Sequence, residues 1–542
     1  MVALRHSSLD GYFSEFLAAR SGLSGAAREG FCELVARVVR ALEEGHSCLP
    51  LSVEERTALR ANPLVSDGDA TPLVVYKQRL YLQRYFRYER RLAEQIKEMA
   101  TISFMPAGDD TLLLSYFPRL DVEIDRQKAA AELALRRALT ILCGGPGTGK
   151  TTTIVKILAI LLQTAGERLP TVALAAPTGK AAMRLNEAVG RSLNDLPLPE
   201  RVRQAMPVNA FTLHRLLGAR QGSPQFCHNR ENPLAWDIVV VDEASMVDLA
   251  MMSKLVDAVK PGTRLILLGD KDQLASVESG AVLGDLLGSL PENTVELEKT
   301  YRFEAGIKQL AEAVNGGDTA AAWDLLTSRQ TAGVTLLSTG MIDFITNAYG
   351  PFMEAVHRSD KIDRREIFCL FNRFRVLSAL HYGNRGVDSI NLQVESALGR
   401  RGFLCRPGLW YAGRPVLITR NDYGLDLYNG DIGICLPNSE NGHLQVWFER
   451  ADGRMRCYLP SRLPSCETVF AMTIHKSQGS EFEEVLVVLP EEDHRILSRQ
   501  LIYTAITRAK KVVRLVAEEE VLRSALSRNI QRVGGLADLL RT

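Results

Sequence analysis

Residues 144–151 read Gly-Gly-Pro-Gly-Thr-Gly-Lys-Thr, directly after the apolar run Ala138-Leu-Thr-Ile-Leu-Cys143. Between a strand and a helix, glycines at this spacing let backbone N–H groups face inward and cradle phosphates. Lys150 can reach the β- and γ-phosphates of a nucleoside triphosphate, and the Thr151 hydroxyl can hold Mg²⁺. The helix that follows adds the positive end of its dipole. A second run, Ile238-Val-Val-Val-Asp-Glu-Ala-Ser245, delivers Asp242 and Glu243 to the C-terminal end of a strand, where α/β sheets bind ligands. Asp242 can hold Mg²⁺ through water, and Glu243 can orient and deprotonate an attacking water. A third run, Arg264-Leu-Ile-Leu-Leu268, ends in Gly-Asp-Lys-Asp-Gln273, so Gln273 can sit beside the γ-phosphate. Arg302 and Arg508 offer cations for the negative charge that develops in phosphoryl transfer. The chemistry implied is hydrolysis of ATP with Mg²⁺.

These residues need a sheet to carry them. Apolar strands near 139–143, 171–176, 237–241 and 264–268 alternate with helix-like sequence from about 125 to 315, which predicts a parallel α/β sheet with crossover helices. A second alternating block opens with Glu366-Ile-Phe-Cys-Leu-Phe371 and resumes with Glu484–Leu489 and Lys511–Val516. Between its halves, the runs 414–419, 431–435, 443–448 and 455–458 are short and turn-separated. They predict a small β-barrel insertion at about 400–465. Residues 1–115 look mainly helical. Within them Tyr81, Tyr85, Tyr88 and Leu92 recur at one-face helical spacing among arginines. That pattern fits either a basic face over a small core or a docking surface for protein or nucleic acid.

The chain of 542 residues is long enough for three or four domains. Its apolar (46%) and charged (24%) fractions are those of a globular protein, and no stretch approaches the ~20 apolar residues of a membrane span. The start lacks the apolar core of a signal peptide. Nine cysteines without a C-x-x-C pair argue against a zinc or iron–sulfur site and against a disulfide framework, so the expected compartment is the cytoplasm. A net charge of +1 is silent about the partner, because a basic channel can hide inside a neutral total.

The ordered motifs decide it. The P-loop, Ala176-Pro-Thr-Gly-Lys-Ala-Ala182, Phe211–Gly218, Asp242-Glu-Ala-Ser245, Gly269–Gln273, Tyr301-Arg-Phe303, Ala471–Phe482 and Tyr503–Ala509 together resemble the superfamily 1 helicases, and within them the RecD group. The resemblance implies an α/β fold with two RecA-like P-loop motor domains, ATP lying in the cleft between them. They would occupy residues 116–340, with a hairpin extension at 218–236, and residues 341–542, with an SH3-like β insertion. It implies that Gln127 reads the adenine. It further implies that Gly144, Gly145, Pro146, Gly147, Thr148, Gly149, Lys150, Thr151, Thr152 and Glu481 bind the nucleotide, and that Arg302 and Arg508 complete the site on cleft closure. Pro177, Thr178, His214, Thr473 and His475 lie in motifs that face single-stranded DNA in relatives. Hydroxyl, imidazole and backbone donors suit sequence-neutral strand binding, although His475 also fits a core histidine bonding a neighbouring loop.

Gly45–Leu51 and Arg79–Leu82 are similar to the alpha subunit of the RecBCD-type helicase–nuclease. That similarity implies a 5′→3′ motor acting on single-stranded DNA and duplex ends, beside RecB-like and RecC-like subunits, with residues 1–115 as the docking domain. The longer stand-alone helicases of the group carry a larger N-terminal extension with helix-hairpin-helix repeats, and this chain reads as too short in front for one. A stand-alone 5′→3′ helicase is the alternative. A structural subunit with a vestigial nucleotide site is disfavoured by the presence of Lys150, Asp242, Glu243, Arg302 and Arg508. No carboxylate–lysine cluster of nuclease type lies outside the helicase motifs.

Overall fold

The computed structural model describes residues 9–68, 70–105, 110–118, 125–220, 222–299, 304–328, 330–359, 362–404, 409–422, 424–438, 441–450 and 454–542. Its centre is a six-stranded, all-parallel sheet. The strands lie in the order Thr294–Leu297, Leu139–Gly144, Arg264–Gly269, Ile238–Val241, Val172–Ala176 and Ala210–Thr212. The middle strands are apolar on both sides because both faces are covered, as parallel sheets require. Alternate residues of one strand serve opposite layers: Ile238 and Val240 pack with Ile154 and Leu158 of the helix Lys150–Gln163, whereas Val239 and Val241 pack with Leu255 and Leu265. Cys143 stands opposite Gly269 and Val241 opposite Leu267. This register brings Gly144, Asp270 and Asp242 out along one edge.

A second parallel sheet runs Val334–Leu336, Ala509–Val516, Phe482–Val488, Phe374–Ser378 and Ala471–Thr473. It corrects two expectations. The first motor ends near residue 300, not 340, because the helix Ala305–Gly316 and the strand Val334–Leu336 belong to the second core and second sheet. Glu366–Phe371 is not a strand. It lies in the helix Arg364–Arg373, capped by the Asp363 carboxylate, and buries Ile367, Phe368 and Phe371. The strand starts only at Phe374.

The expected β insertion is a five-stranded antiparallel sheet: Met455–Tyr458, Leu444–Glu449, Ile432–Pro437, Pro415–Ile418 and Cys466–Thr468. It has its own small core, including Val416, Cys435 and Phe448. The described residues of 218–236 form an irregular excursion closed by antiparallel bridges at Ala219–Phe226 and Asn229–Asn232.

The N-terminal region is helical but also contains a small sheet, Leu49–Pro50, Arg79–Leu82, Leu73–Tyr76 and Val65–Ser66. The aromatic stripe therefore breaks. Tyr81 lies on a strand, fully buried, and the helix begins only at Gln83. Leu92 is buried with Ile96 in the core of the first motor, and Tyr85 and Tyr88 pack beside them. This helix, Gln83–Thr101, is a structural part of the motor. The chain end also crosses domains: Leu536 and Leu540 of the helix Leu536–Arg541 join the same core.

Candidate active site

The P-loop follows its strand with two residues in the left-handed region, Gly147 (φ 80°) and Gly149 (φ 85°). A side chain at Gly149 would be strained there, and its Cβ would stand 2.8 Å from Gln127 Nε2. The Lys150 ammonium donates to the carbonyls of Gly144 at 2.5 Å and Gly145 at 3.0 Å. Thr148 donates its hydroxyl to Gly145 at 2.8 Å, closing the loop on itself. Beyond the loop lies a cavity of about 550 Å³. Pro146, Gly147, Gly149, Lys150, Thr151 and Thr152 form one wall of it, while Asp242, Glu243 and Gln273 form another.

The acidic wall is strongly coupled to its surroundings. Asp242 is half-buried on the cavity wall; desolvation there first, and then repulsion by Glu243, push its carboxyl up to about 6 against the pull of Lys150. Glu243 adopts φ 52°, a conformation non-glycine residues pay about 1–3 kcal/mol to hold, and its N–H donates to Asp242 Oδ1 at 2.8 Å. Asp270 ends the neighbouring strand and is likewise pushed up to about 6 by burial. It accepts from Gln273 Nε2 at 3.1 Å and from the Tyr503 hydroxyl at 3.4 Å. An all-oxygen set of Thr151 hydroxyl and Asp242 carboxylate on one cavity suits a hard divalent cation such as Mg²⁺.

The second motor closes the cavity with Arg508, Lys510 and Glu481. Arg508 is fully buried and donates to the carbonyls of Thr504 at 3.1 Å and Ser480 at 3.3 Å. Burial draws its pKa down, while Glu243 and Asp270 oppose the shift. Cations and carboxylates thus come from both motors, the arrangement that stabilises a phosphoryl group in transfer.

Not every predicted residue meets this cavity. Gly144, Gly145 and Thr148 build the back of the loop rather than its lining. Gln127 sits on the loop's flank, 3.4 Å from the Thr148 carbonyl, and does not line the cavity. Arg302 lies outside the described residues. Sequence reasoning missed Arg184, Lys510 and Asp270. Asp270 carried a signal, since it ends an apolar strand just as Asp242 does. Arg184 carried none beyond its place on the polar side of a helix.

The residues expected to face DNA lie at C-terminal strand ends. Pro177 and Thr178 follow Val172–Ala176, and Thr178 caps the helix Gly179–Asp195. His214 follows the adjacent strand, where Thr212 stands opposite Ala176, and its ring meets Phe226 edge-on at 5.7 Å. Thr473 ends a strand of the other sheet, opposite Ser378, and its hydroxyl accepts from the Lys476 N–H at 3.3 Å. His475 is half-buried two residues on, and burial lowers its pKa. Both sheets therefore present polar groups along their C-terminal edges.

Two parallel-sheet units that share one P-loop-lined cavity define the class of P-loop motor proteins. Family models agree: an AAA domain matches residues 127–279 and a UvrD-like helicase C-terminal domain matches residues 468–516. The RecBCD enzyme subunit RecD of Mycolicibacterium smegmatis is 41% identical over 94% of this chain and 93% of its own. The ATP-dependent RecD2 DNA helicase of Deinococcus radiodurans is 32% identical over 90% of this chain and 66% of its own. Among solved structures, Bacteroides Pif1 bound to single-stranded DNA is 18% identical over 74% of this chain and 94% of its own, with a TM-score of 0.41. The chain belongs to the RecD family, and it is an ATP-hydrolysing DNA helicase. Among the described residues no helix is long and apolar enough to cross a membrane.

Proposed function

We propose that this chain is the 5′→3′ single-stranded DNA motor of a RecBCD-type complex, engaging duplex ends beside RecB-like and RecC-like subunits in double-strand-break repair. The observation that carries the reading is the shared cavity, in which Lys150, Asp242, Glu243 and Gln273 of one motor meet Arg508 and Glu481 of the other. The match spans 93% of the Mycolicibacterium RecD subunit but 66% of the RecD2 helicase, which supports the complex over stand-alone action.

Lys150 and the loop N–H groups hold the triphosphate, Glu243 takes the proton of the attacking water, and Gln273 reports the γ-phosphate. Arg508, joined by Arg302, offsets the charge that develops as the bond to the leaving phosphate breaks. Thr151 and Asp242 would hold Mg²⁺, which supplies charge neutralisation on the phosphates when bound. Glu481 binds the nucleotide from the second motor's side of the cavity and Gln127 takes the base. Pro177, Thr178, His214, Thr473 and His475 hold the strand by backbone and stacking contacts, so that opening and closing the cleft moves it. The β insertion is SH3-like in this reading, residues 1–115 carry the surface that docks the partner subunit, and the compartment is the cytoplasm.

The test is unwinding of duplexes bearing a 5′ or a 3′ single-stranded tail, by the chain alone and with co-purified partners. Selective unwinding from the 5′ tail, abolished by Lys150→Gln with a loss of roughly 10²-fold or more in ATP turnover, is expected. Unwinding from the 3′ tail would overturn the direction, and turnover of Lys150→Gln within about threefold of wild type would overturn the site.

A further inference from the structure

Arg184 stands on the helix Gly179–Asp195, outside every nucleotide-binding motif of the sequence, yet it lines the cavity beside Lys150, Asp242 and Glu243. Its guanidinium pairs with the Glu481 carboxylate, which belongs to the other motor. The other Glu481 oxygen lies 3.5 Å from the Lys510 ammonium. Glu481 is therefore a nearly buried carboxylate, its side chain 10% exposed, held by one cation from each motor. Arg184 is different: its side chain keeps 32% of its surface, and that surface faces the cavity. Asp242 and Glu243 also attract it, while Arg508 repels it.

Its helix is built for contact with the second motor. A Cβ at Gly479, which adopts φ 70°, would stand 3.3 Å from Ala181 Cβ, so that loop lies flush on the helix's first turn. One turn before Arg184, on the same side, the buried Lys180 ammonium sits 6.0 Å over the Phe482 ring with no hydrogen-bond partner among the described residues. Lys180 and Arg184 thus meet consecutive residues, 482 and 481, directly behind the Thr178 cap.

We propose that Arg184 is a further triphosphate-binding residue with two alternative partners: Glu481 across the cleft, and the phosphate oxygens of a nucleoside triphosphate in the cavity. A planar guanidinium suits both, since carboxylate and phosphate accept the same paired donors. Exchange from one to the other takes one cation away from Glu481 and loosens the bridge between the motors as the nucleotide binds. The inference rests on the ATPase reading above.

The test titrates the full chain with a fluorescent non-hydrolysable ATP analogue and with fluorescent ADP, each with Mg²⁺, for wild type, Arg184→Ala, Arg184→Lys and Glu481→Gln. Arg184→Ala should lower the preference for triphosphate over diphosphate by about tenfold, the effect of losing a charge-assisted bond to phosphate. Arg184→Lys should lower it less. Glu481→Gln should leave that preference unreduced or raise it, because it removes the carboxylate that competes with phosphate for Arg184. An unchanged preference in Arg184→Ala, or equal changes in Arg184→Ala and Glu481→Gln, would show that Arg184 serves only the bridge. Should Arg184→Ala not fold, Arg184→Lys carries the same comparison. Failure of the wild type to bind either nucleotide would overturn the ATPase reading itself.

Discussion

The Leu274 backbone N–H donates to the Thr504 hydroxyl at 2.8 Å, both groups buried. Leu274 directly follows Gln273 in the first motor, and Thr504 lies one helical turn before Arg508 in the second. The segments that carry Gln273 and Arg508 are thus joined across the cleft by a hydrogen bond. A second, from Gln478 Nε2 to the Leu274 carbonyl at 3.0 Å, pins the same residue. Thr504→Val keeps the volume but removes the acceptor and leaves a buried N–H unpaired. Leaving such a donor unmet costs about 1–3 kcal/mol, so DNA-stimulated ATP turnover should fall about tenfold while Thr504→Ser stays near wild type. Steady-state turnover across a DNA titration checks this. Equal activity of Thr504→Val and wild type would mean the bond does not couple the motors.

Arg508→Ala should reduce ATP turnover on the order of 10³-fold, with a much smaller loss of affinity for a non-hydrolysable analogue. Arg508 also donates to two carbonyls, Thr504 and Ser480, so the alanine variant should melt at lower temperature than wild type. Arg508→Lys separates these effects. It restores a cation and one donor, and should recover stability more than turnover, because the paired donors of the guanidinium are lost. Equal losses in affinity and turnover would instead mark Arg508 as a ground-state binding group.

The parts of this site legible in the sequence were those made by local pattern. Asp242 and Gln273 each follow an apolar run long enough to be a buried strand, and the P-loop carries its own glycine spacing. The missed parts depend on tertiary partners. Arg184 has meaning only through the cavity it faces and through Glu481, almost 300 residues away in the chain. Val334–Leu336 is too short to announce itself and is a strand only because Ala509–Val516 lies beside it. Glu366–Phe371 is a short apolar run that periodicity cannot assign to helix or strand; the Asp363 cap was the available signal. The spacing of Tyr81, Tyr85, Tyr88 and Leu92 is helical by number, but the chain passes through Lys77 at φ 54° and then forms a strand through Leu82. The stripe was therefore core, and Arg91 is engaged by Asp257 of the first motor at 2.9 Å.

The half-buried acid Asp242 should make stability depend on pH in an unusual direction. Burial, and then Glu243, raise the Asp242 carboxyl from 3.8 to about 6. The folded protein therefore binds this proton more tightly than the unfolded chain does. Sign follows from linkage: the ionised carboxylate disfavours folding fully above about pH 6, and that penalty fades as pH falls toward 3.8. Asp242→Asn removes it. Without nucleotide and with chelator present, the variant should melt above wild type at pH 7.5, and the two should converge below pH 6. It should hydrolyse ATP at a small fraction of the wild-type rate. A variant that melts below wild type at pH 7.5 would show that Lys150 and Arg184 already compensate the charge.

The chain end makes the last testable contact. Glu89, fully buried, accepts from the Ser47 hydroxyl at 2.5 Å and from the Gly535 N–H at 3.1 Å to each oxygen. Arg79 pairs with Asp538 at 2.6 Å, and Leu536 and Leu540 enter the first motor's core. The segment leaving the second motor is thus fastened to the N-terminal region and the first motor together. A Cβ at Gly535 would stand 2.1 Å from the Tyr81 hydroxyl and 2.9 Å from Glu89 Oε2, both held in a packed interior. Gly535→Ala should therefore cost about 1–3 kcal/mol by overpacking, lower the melting temperature, and expose the segment after Arg528 to limited proteolysis. Gly284→Ala, on the neighbouring helix Val282–Ser289 with nothing within 4 Å of its would-be Cβ, is the control and should leave both measurements unchanged or slightly improved. If Gly535→Ala resists protease and melts with wild type, the tail is not held by this contact, and its attachment rests on Leu536, Leu540 and the Arg79–Asp538 pair.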